Sequence, residues 1–400
     1  MRILKVVQAY FPFQERGGPV FKVRALARGL VKRGHEVTVL TADLGFGAQN
    51  GYQLKIEPSR WGRAANEDGV NAIYLSTAGH YRGLTYNPRV VKFSRACIHQ
   101  FDLVHFYGLY DLLGPAVSYY CRRQVVPYVI EPMGMFRPII RSLRLKRLYH
   151  NLLGNRFVEG ARYLVATSEP EKRDLQEGGI ENARVVVRRN GVELPASMPP
   201  KGDFRRHLGI STETKLILFL GRLVSKKSPD LLLQAFKNWL ETSGRNRDAV
   251  VVLAGPEEGD GFLPKLKSMA DHLGLKDRVI FTGPLYDDAK WSAYIDSDLF
   301  VLPSQNENFG NTAGEAAAFG TPVIVTDRCG IAEFVGDAGE VIPHDLAALE
   351  TAMGHLLSDP NLRENRRRGC REFVSRLSWE GPLDQTEEMY RQCLATEAVR

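Results

Sequence analysis

Four hundred residues, 44% hydrophobic and 25% charged, make an ordinary soluble globular chain that is too long for one core, so two domains are expected. No apolar run approaches the roughly 20 residues that span a bilayer. The net charge of +7 suits nucleic acid, an anionic membrane surface or phosphorylated substrates, and the absence of any nucleic-acid module signature argues against the first.

The opening MRILKVVQAYF reads as a first strand, Ile3 to Gln8, because it lacks a small-residue cleavage site and runs into a Pro/Gly loop. A helix from about Pro19 to Arg33 follows, entered through Gly17 and Gly18, whose missing side chains let backbone approach a ligand. Apolar runs at Glu36 to Ala42, Asn71 to Leu75, Leu103 to Phe106, Tyr128 to Glu131 and Tyr163 to Thr167 alternate with helical stretches such as Arg89 to His99. Short apolar strands with intervening helices predict a mostly parallel sheet.

The polar, Pro-rich segment Leu194 to Gly202 marks the expected boundary, giving domains 1–195 and 196–378. The second half repeats the plan: strands Lys215 to Leu220, Ala249 to Ala254, Val279 to Thr282, Leu299 to Leu302 and Val323 to Val325, with a helix from Pro229 to Thr242. The fold class is therefore α/β, two Rossmann-like doubly wound domains facing each other across a cleft, with ligands expected at the carboxyl ends of strands. A last helix, Trp379 to about Leu394 within 379–400, either packs on its own domain or returns to the first. Five scattered cysteines form no CxxC pair, so neither a disulfide framework nor a zinc site is expected, and a reducing, cytoplasmic setting fits. Neither half carries GxGxxG after its first strand, and no GxxxxGK[ST] loop occurs, which argues against hydride transfer and nucleotide hydrolysis.

The segment PSQNENFGNTAGEAAAFGTPVIVTD, Pro303 to Asp327, carries the most chemistry. It reads as an Asn-rich loop leaving a buried strand, a small-residue helix ending at Gly320, and another strand. Glu307 stands before the helix mouth and Glu315 about one turn inside it. The backbone NH groups of Phe309, Gly310 and Asn311 lie between, at a positive helix end that favours anionic or hydroxyl-rich ligands. Alone, the two glutamates favour the plain reading of a solvated loop residue and a helix-face residue; the flanking sequence reverses that. Earlier in the second half, GRLVSKKSPD, from Gly221, leaves one strand and enters a helix, placing Arg222 and Lys227 where fixed cations can meet a diphosphate.

Seven residues between two glutamates ahead of GTPVIVTD, with Gly221–Arg222 and Lys227 before them, resemble the donor-site signature of retaining glycosyltransferases of family 4, which have the GT-B fold. The resemblance covers most of the chain and implies a hexosyltransferase-type enzyme using a nucleotide diphosphate sugar (UDP, GDP or ADP) as donor, with no cofactor or metal required. It gives Glu307 the transferred sugar, Glu315 the ribose, Arg222 and Lys227 the diphosphate, and Gly17 and Gly18 an approach to the donor, and it implies that the last helix, 379–400, returns to the first domain. The loops LAGPEEG, from Leu253, and TGPL, from Thr282, resemble those around the nucleobase, with the backbone near Leu285 a candidate base contact. Ser228 departs from the glycine usual in the family. The string DSD at Asp296 to Asp298 is taken as a helix-to-strand turn rather than a metal site.

On the acceptor side, DLVHFYGLYDLLGP keeps His105 as a catalytic candidate but has Tyr107 where relatives commonly carry a second histidine, and IEPMGMFRP has Met133 in place of another. A strand histidine is also a common core residue. Tyr107 and Glu131 are further pocket candidates. The expected acceptor is a carbohydrate or lipid-linked hydroxyl in glycoconjugate synthesis. The basic, apolar stretch 137–156, with Arg137, Arg141, Arg144, Lys146, Arg147 and Arg156, suits either peripheral contact with the inner face of a membrane or an interdomain helix with a solvated face. Alternatives to transfer are a sugar-nucleotide epimerase or phosphorylase on the same fold, or a non-catalytic nucleotide-sugar-binding protein.

Overall fold

A computed structural model describes residues 1–45, 54–81, 84–136, 149, 153–195, 197–242, 248–257 and 261–395. The chain divides into two compact units, Met1–Asn190 with Trp379–Arg400, and Gly191–Ser378.

In the first unit the elements run β1 (Arg2–Val7), α1 (Gly18–Lys32), β2 (Glu36–Ala42), β3 (Ile56–Ser59), β4 (Gly62–Glu67), β5 (Val70–Leu75), β6 (Gly79–Tyr81), β7 (Leu84–Tyr86), α2 (Arg89–Cys97), β8 (Leu103–Tyr107), α3 (Leu113–Arg123), β9 (Tyr128–Glu131), α4 (Asn155–Glu159), β10 (Tyr163–Ala166), α5 (Glu169–Glu177) and β11 (Val185–Val187). Nine of these strands form one sheet in the order β11-β10-β9-β8-β1-β2-β5-β4-β3. It is parallel except at one edge, where β3 and β4 run antiparallel. The Asp68–Gly69 pair, both at positive φ, turns β4 into β5. The central strands are apolar on both faces because helices cover both, and they feed two buried clusters.

The second unit contains α6 (Asp203–Leu208), β12 (Lys215–Leu220), α7 (Pro229–Thr242), β13 (Ala249–Ala254), α8 (Phe262–His272), β14 (Val279–Gly283), α9 (Asp287–Asp296), β15 (Leu299–Leu302), α10 (Asn311–Ala318), β16 (Val323–Thr326), α11 (Ala332–Val335), β17 (Gly339–Ile342), α12 (Leu346–Ser358) and α13 (Pro360–Ser375). Its six strands are all parallel, in the order β14-β13-β12-β15-β16-β17. The strand order reverses between β12 and β15, and in the first unit between β1 and β8. Such switch points open crevices at the carboxyl ends of strands.

The last helix, α14 (Glu380–Ala395), belongs to the first unit. Leu383 packs against the α1 backbone, where a Cβ added at Gly29 would meet its side chain at 2.5 Å. Arg33 binds Glu380, Asp384 and Glu387 at 2.6–2.8 Å, and Glu387 also meets His35 at 2.6 Å.

Candidate active site

The reversal in the second unit is built by loops laced together through their backbones. Gly221 donates to the Ala254 carbonyl at 2.9 Å, Leu223 to Pro256 at 3.0 Å and Gly255 to Gly283 at 2.9 Å, tying the ends of β12, β13 and β14. Gly255 has φ +154, and a Cβ there would meet the Gly221 carbonyl oxygen at 1.8 Å. Only glycine allows that approach. Across the reversal, Gln305 donates to Lys226 O at 3.0 Å, Glu307 to Arg328 O at 3.0 Å and Gly330 to Glu307 O at 3.0 Å, fixing the β15 loop between its neighbours.

Lys227 and Glu307 therefore meet at the switch point, joined as an ion pair, each side chain about one-sixth exposed. Burial, followed by the charge of Arg222, lowers the Lys227 ammonium to about 7, with Lys226 acting the same way. The opposing carboxylate of Glu307 favours the charged lysine. Arg222 is exposed at the start of the same loop. Ser228, which closes it, lies in the left-handed region at φ 49° and ψ 44°, and its hydroxyl bonds His344 Nε2 at 3.0 Å. The backbone here has the conformation that glycine adopts without penalty, which accounts for the family's usual residue.

Helix α10 begins at Asn311 after Gly310, which is left-handed at φ 103° and offers no side-chain cap. No side chain at the cap position accepts from the first backbone NH groups of the helix. Phe309 turns its ring into the core and its carbonyl accepts from Ile331 N at 2.6 Å. Glu315, one turn in, is held from α9: Lys290 Nζ lies 3.2 Å from Oε1 and 3.1 Å from Oε2, and the Tyr294 hydroxyl donates to Oε2 at 2.8 Å. Lys290 and Tyr294 escaped the sequence reading; their i, i+4 spacing put them on one face, but nothing local tied that face to Glu315. Leu285 lies half-buried in the loop after β14.

Asp296 and Asp298 serve the fold of this unit. Asp296 accepts from the backbone of Gly202, Phe204 and Arg205 at 2.6–3.2 Å, and Asp298 takes Leu216 N at 3.0 Å and Arg205 at 2.8 Å. Among the described residues no group of three or more His, Cys, Asp or Glu side chains is placed to hold a metal ion.

In the first unit the reversal between β1 and β8 opens a cavity of about 190 Å³, lined by residues that include Gln8, Arg16, Leu44, Tyr107, Tyr110, Asp111, Met133 and Met135. Burial raises the Asp111 carboxyl to about 6 while its Oδ1 accepts from Gly114 N at 2.6 Å. Gly17, at φ 81°, and Gly18 open α1 nearby in sequence, and a side chain at Gly17 would meet nothing within 4 Å.

Beneath Tyr107 lies a sealed polar layer. Parallel register sets Lys5 beside His105 and Tyr107 beside Glu131. Lys5 donates to the Tyr107 hydroxyl at 2.6 Å, and His105 Nδ1 meets the Tyr390 hydroxyl of α14 at 2.6 Å. Arg188 reaches Glu131 at 2.5 Å, and Lys22 pairs with the other oxygen of the same carboxylate. Burial alone would raise the Glu131 carboxyl, but Arg188 and Lys22 outweigh it and hold it below its ordinary range. Burial, then Lys5 and Arg188, keeps His105 well below its ordinary value and so neutral. His105 is fully buried, with its ring stacked on Tyr107 at 4.2 Å, and it does not line the cavity. Tyr107 and Met133, the two departures from the family pattern, do line it. Of the basic stretch 137–156, the residues Arg137, Arg141, Arg144, Lys146 and Arg147 lie outside those described; Arg156 is exposed on α4, and its carbonyl accepts from Arg122 at 2.9 Å.

Two α/β units, each built on a mostly parallel sheet, are the architecture of GT-B glycosyltransferases. Residues 16–195 match the family model described as Glycosyltransferase Family 4, and residues 200–373 match that described as Glycosyl transferases group 1. The chain belongs to the group 1/family 4 glycosyltransferases. It is 29% identical over 357 residues, 81% of each chain, to the D-inositol 3-phosphate glycosyltransferase of Corynebacterium urealyticum. The fold is similar to that of sucrose-phosphate synthase from Thermosynechococcus elongatus, with TM-score 0.75 and 22% identity over 99% of this chain and 100% of that one. It is also similar to Anabaena HepE solved with UDP and glucose, with TM-score 0.77 and 18% identity over 98% of this chain and 100% of that one. The expected fold and the expected glycosyl transfer are thus borne out. No described helix is long and apolar enough to cross a membrane.

Proposed function

We propose that this chain moves a hexose from a nucleoside diphosphate sugar to an acceptor hydroxyl with retention of anomeric configuration. The observation that carries the reading is the meeting of Lys227 and Glu307 at the β12/β15 switch point, with Glu315 one turn inside the helix that follows. Arg222 and Lys227 receive the diphosphate, whose charge grows as the C1–oxygen bond breaks, and fixed cations lower that barrier. Glu307 takes hydroxyls of the transferred sugar, and binding releases Lys227 from its internal pair to the phosphate. Backbone from Phe309 to Asn311 faces the same anion, Glu315 takes the ribose and backbone near Leu285 the base.

The acceptor hydroxyl bonds to C1 on the face the phosphate leaves, and the departing phosphate oxygen accepts the acceptor's proton. No side-chain base is needed for that balance, so a tyrosine at position 107 is compatible with turnover. The cavity under Gln8, Arg16 and Tyr107 is the acceptor pocket, for a carbohydrate or the sugar of a lipid-linked carrier. His105 supports Tyr107 from below rather than touching substrate.

Thermal shift with UDP, GDP, ADP and their sugars tests the donor assignment, because a ligand selective for the native state raises its melting temperature. A protein that responds to none of them loses the proposal. Product analysis by NMR then reads the anomeric configuration, and an isomerised donor or free sugar phosphate without a glycosylated acceptor would favour the epimerase or phosphorylase alternative.

A further inference from the structure

Glu315 is the one charged side chain on a helix otherwise made of Asn311, Thr312 and small residues, and it does not stand alone. Both of its oxygens are engaged from α9. Tyr294 is fully buried, its ring held edge-on to Phe300 at 5.8 Å and stacked on Phe319 at 5.9 Å, while its own carbonyl accepts from Thr321 Oγ1 at 2.5 Å. Trp291 stacks on the other part of Phe319 at 5.2 Å and carries Lys290 Nζ over its face at 3.8 Å. The Lys290 side chain is only 8% exposed. Burial, then the charge of Glu315, pushes the Tyr294 phenol well above its ordinary value, so it remains a donor.

Ordering a lysine this far from water costs side-chain entropy and desolvation, and an ordinary helix-face glutamate needs neither. A carboxylate has about four lone-pair directions, and Lys290 and Tyr294 make three contacts with Glu315, two of them at Oε2. With its side chain 16% exposed, Glu315 keeps room to accept from a pair of neighbouring hydroxyls as well. A carboxylate fixed beforehand binds such a diol with less loss of freedom than a mobile one.

We infer that Lys290 and Tyr294 are positioning residues that preset Glu315 to read the vicinal 2′,3′-diol of the donor's ribose, making this site selective for ribonucleotides over deoxynucleotides. The inference rests on the assignment of Glu315 to the donor.

Calorimetry on the full chain decides it, using UDP, GDP and ADP against their 2′,3′-dideoxy counterparts, for wild type, Lys290→Met, Lys290→Arg and Tyr294→Phe. The wild type should bind the best ribonucleotide about tenfold or more tightly than its dideoxy form, the range of a hydrogen-bonded charged group. Lys290→Met and Tyr294→Phe should each erase most of that ratio by weakening the ribonucleotide alone, Lys290→Arg should restore part of it, and donor KM should rise more than kcat falls. Equal losses on both nucleotide forms, or an unchanged ratio, would overturn the positioning role while leaving the donor site intact. No binding of any nucleotide by the wild type would instead remove the donor assignment itself. If Lys290→Met does not fold, Tyr294→Phe, which deletes a single oxygen, carries the same comparison.

Discussion

The two switch points solve one geometric problem in opposite ways. In the second unit the ion pairs are shallow: Glu307 and Glu315 each retain 16% exposure, and their partners Lys227 and Lys290 retain 15% and 8%. In the first unit Glu131 and Arg188 are at 0% and Lys22 at 4%, closed off below a cavity that only Tyr107 of this layer lines. A shallow pair can exchange its partner for a ligand. A sealed pair cannot, and its task is to hold β8, β9, α1 and α14 in register around the pocket. The same residue types thus read as recognition in one unit and as scaffold in the other, and burial separates them.

The contrast breaks most easily at Glu131. Glu131→Leu leaves Arg188 and Lys22 buried with no countercharge, which should cost about 3–5 kcal/mol; chemical denaturation should show an early transition that Glu307→Leu does not reproduce. Equal losses from the two substitutions would mean that the pairs do not differ in kind. Arg222→Ala with Lys227→Ala should act the other way, lowering turnover on the order of 10²–10³-fold, as expected for lost charge stabilisation, with the melting temperature close to wild type. Near-normal turnover in that double variant would remove both cations from the mechanism.

The second unit was the more legible of the two because its signals are local. Glu307, Glu315, Arg222 and Lys227 lie in two short segments, each a strand-to-helix loop, and the strand order that brings the loops together follows from right-handed crossovers. The first unit's polar layer draws Lys5, Lys22, His105, Glu131 and Tyr390 from five separate elements and Arg188 from the segment after β11, and a lysine inside an apolar strand such as RILKVV gives no hint of its partner. Strand β5 is expected from Asn71 to Leu75, but β3 and β4 are not, although Asp68–Gly69 before β5 is a recognisable turn, because Ile56–Ser59 and Gly62–Glu67 carry no apolar run. Strand β17, with Val341 exposed, is paired on one side only and has too little apolar pattern to stand out. The direction of α14 could not be read from α14 itself; Tyr390 and Glu387 acquire meaning only beside His105 and His35.

Protonation sharpens the comparison further. Burial, then Arg188, lowers Lys5 from its ordinary 10.5 to about 7. Between those values the unfolded chain binds a proton that the folded one lacks, so stability rises as pH increases through that window, by on the order of 1 kcal/mol per pH unit at most. Below pH 7 lysine is charged in both states and the full burial cost remains. Lys5→Met should therefore stabilise the protein more at pH 6 than at pH 10, and should flatten the rise in melting temperature between them. Lys227 contributes in the same window, so wild type and Lys5→Met must be compared with each other rather than against a single slope.

The smallest effect lies at Ser228, where the loop from β12 to α7 keeps a left-handed residue without using glycine. Its αL conformation costs about 1 kcal/mol for a residue with a side chain, and the hydroxyl's contacts with His344 and the Ser225 carbonyl, at 3.0 and 3.3 Å, offset roughly that amount. Ser228→Gly removes both terms and should leave stability within about 0.5 kcal/mol of wild type. Ser228→Ala keeps the strain and loses the hydrogen bonds, so it should destabilise by about 1 kcal/mol. Denaturation midpoints of the two variants measure this difference directly. If alanine proves as well tolerated as glycine, the His344 contact contributes nothing, and serine stands here simply because the loop bears the strain.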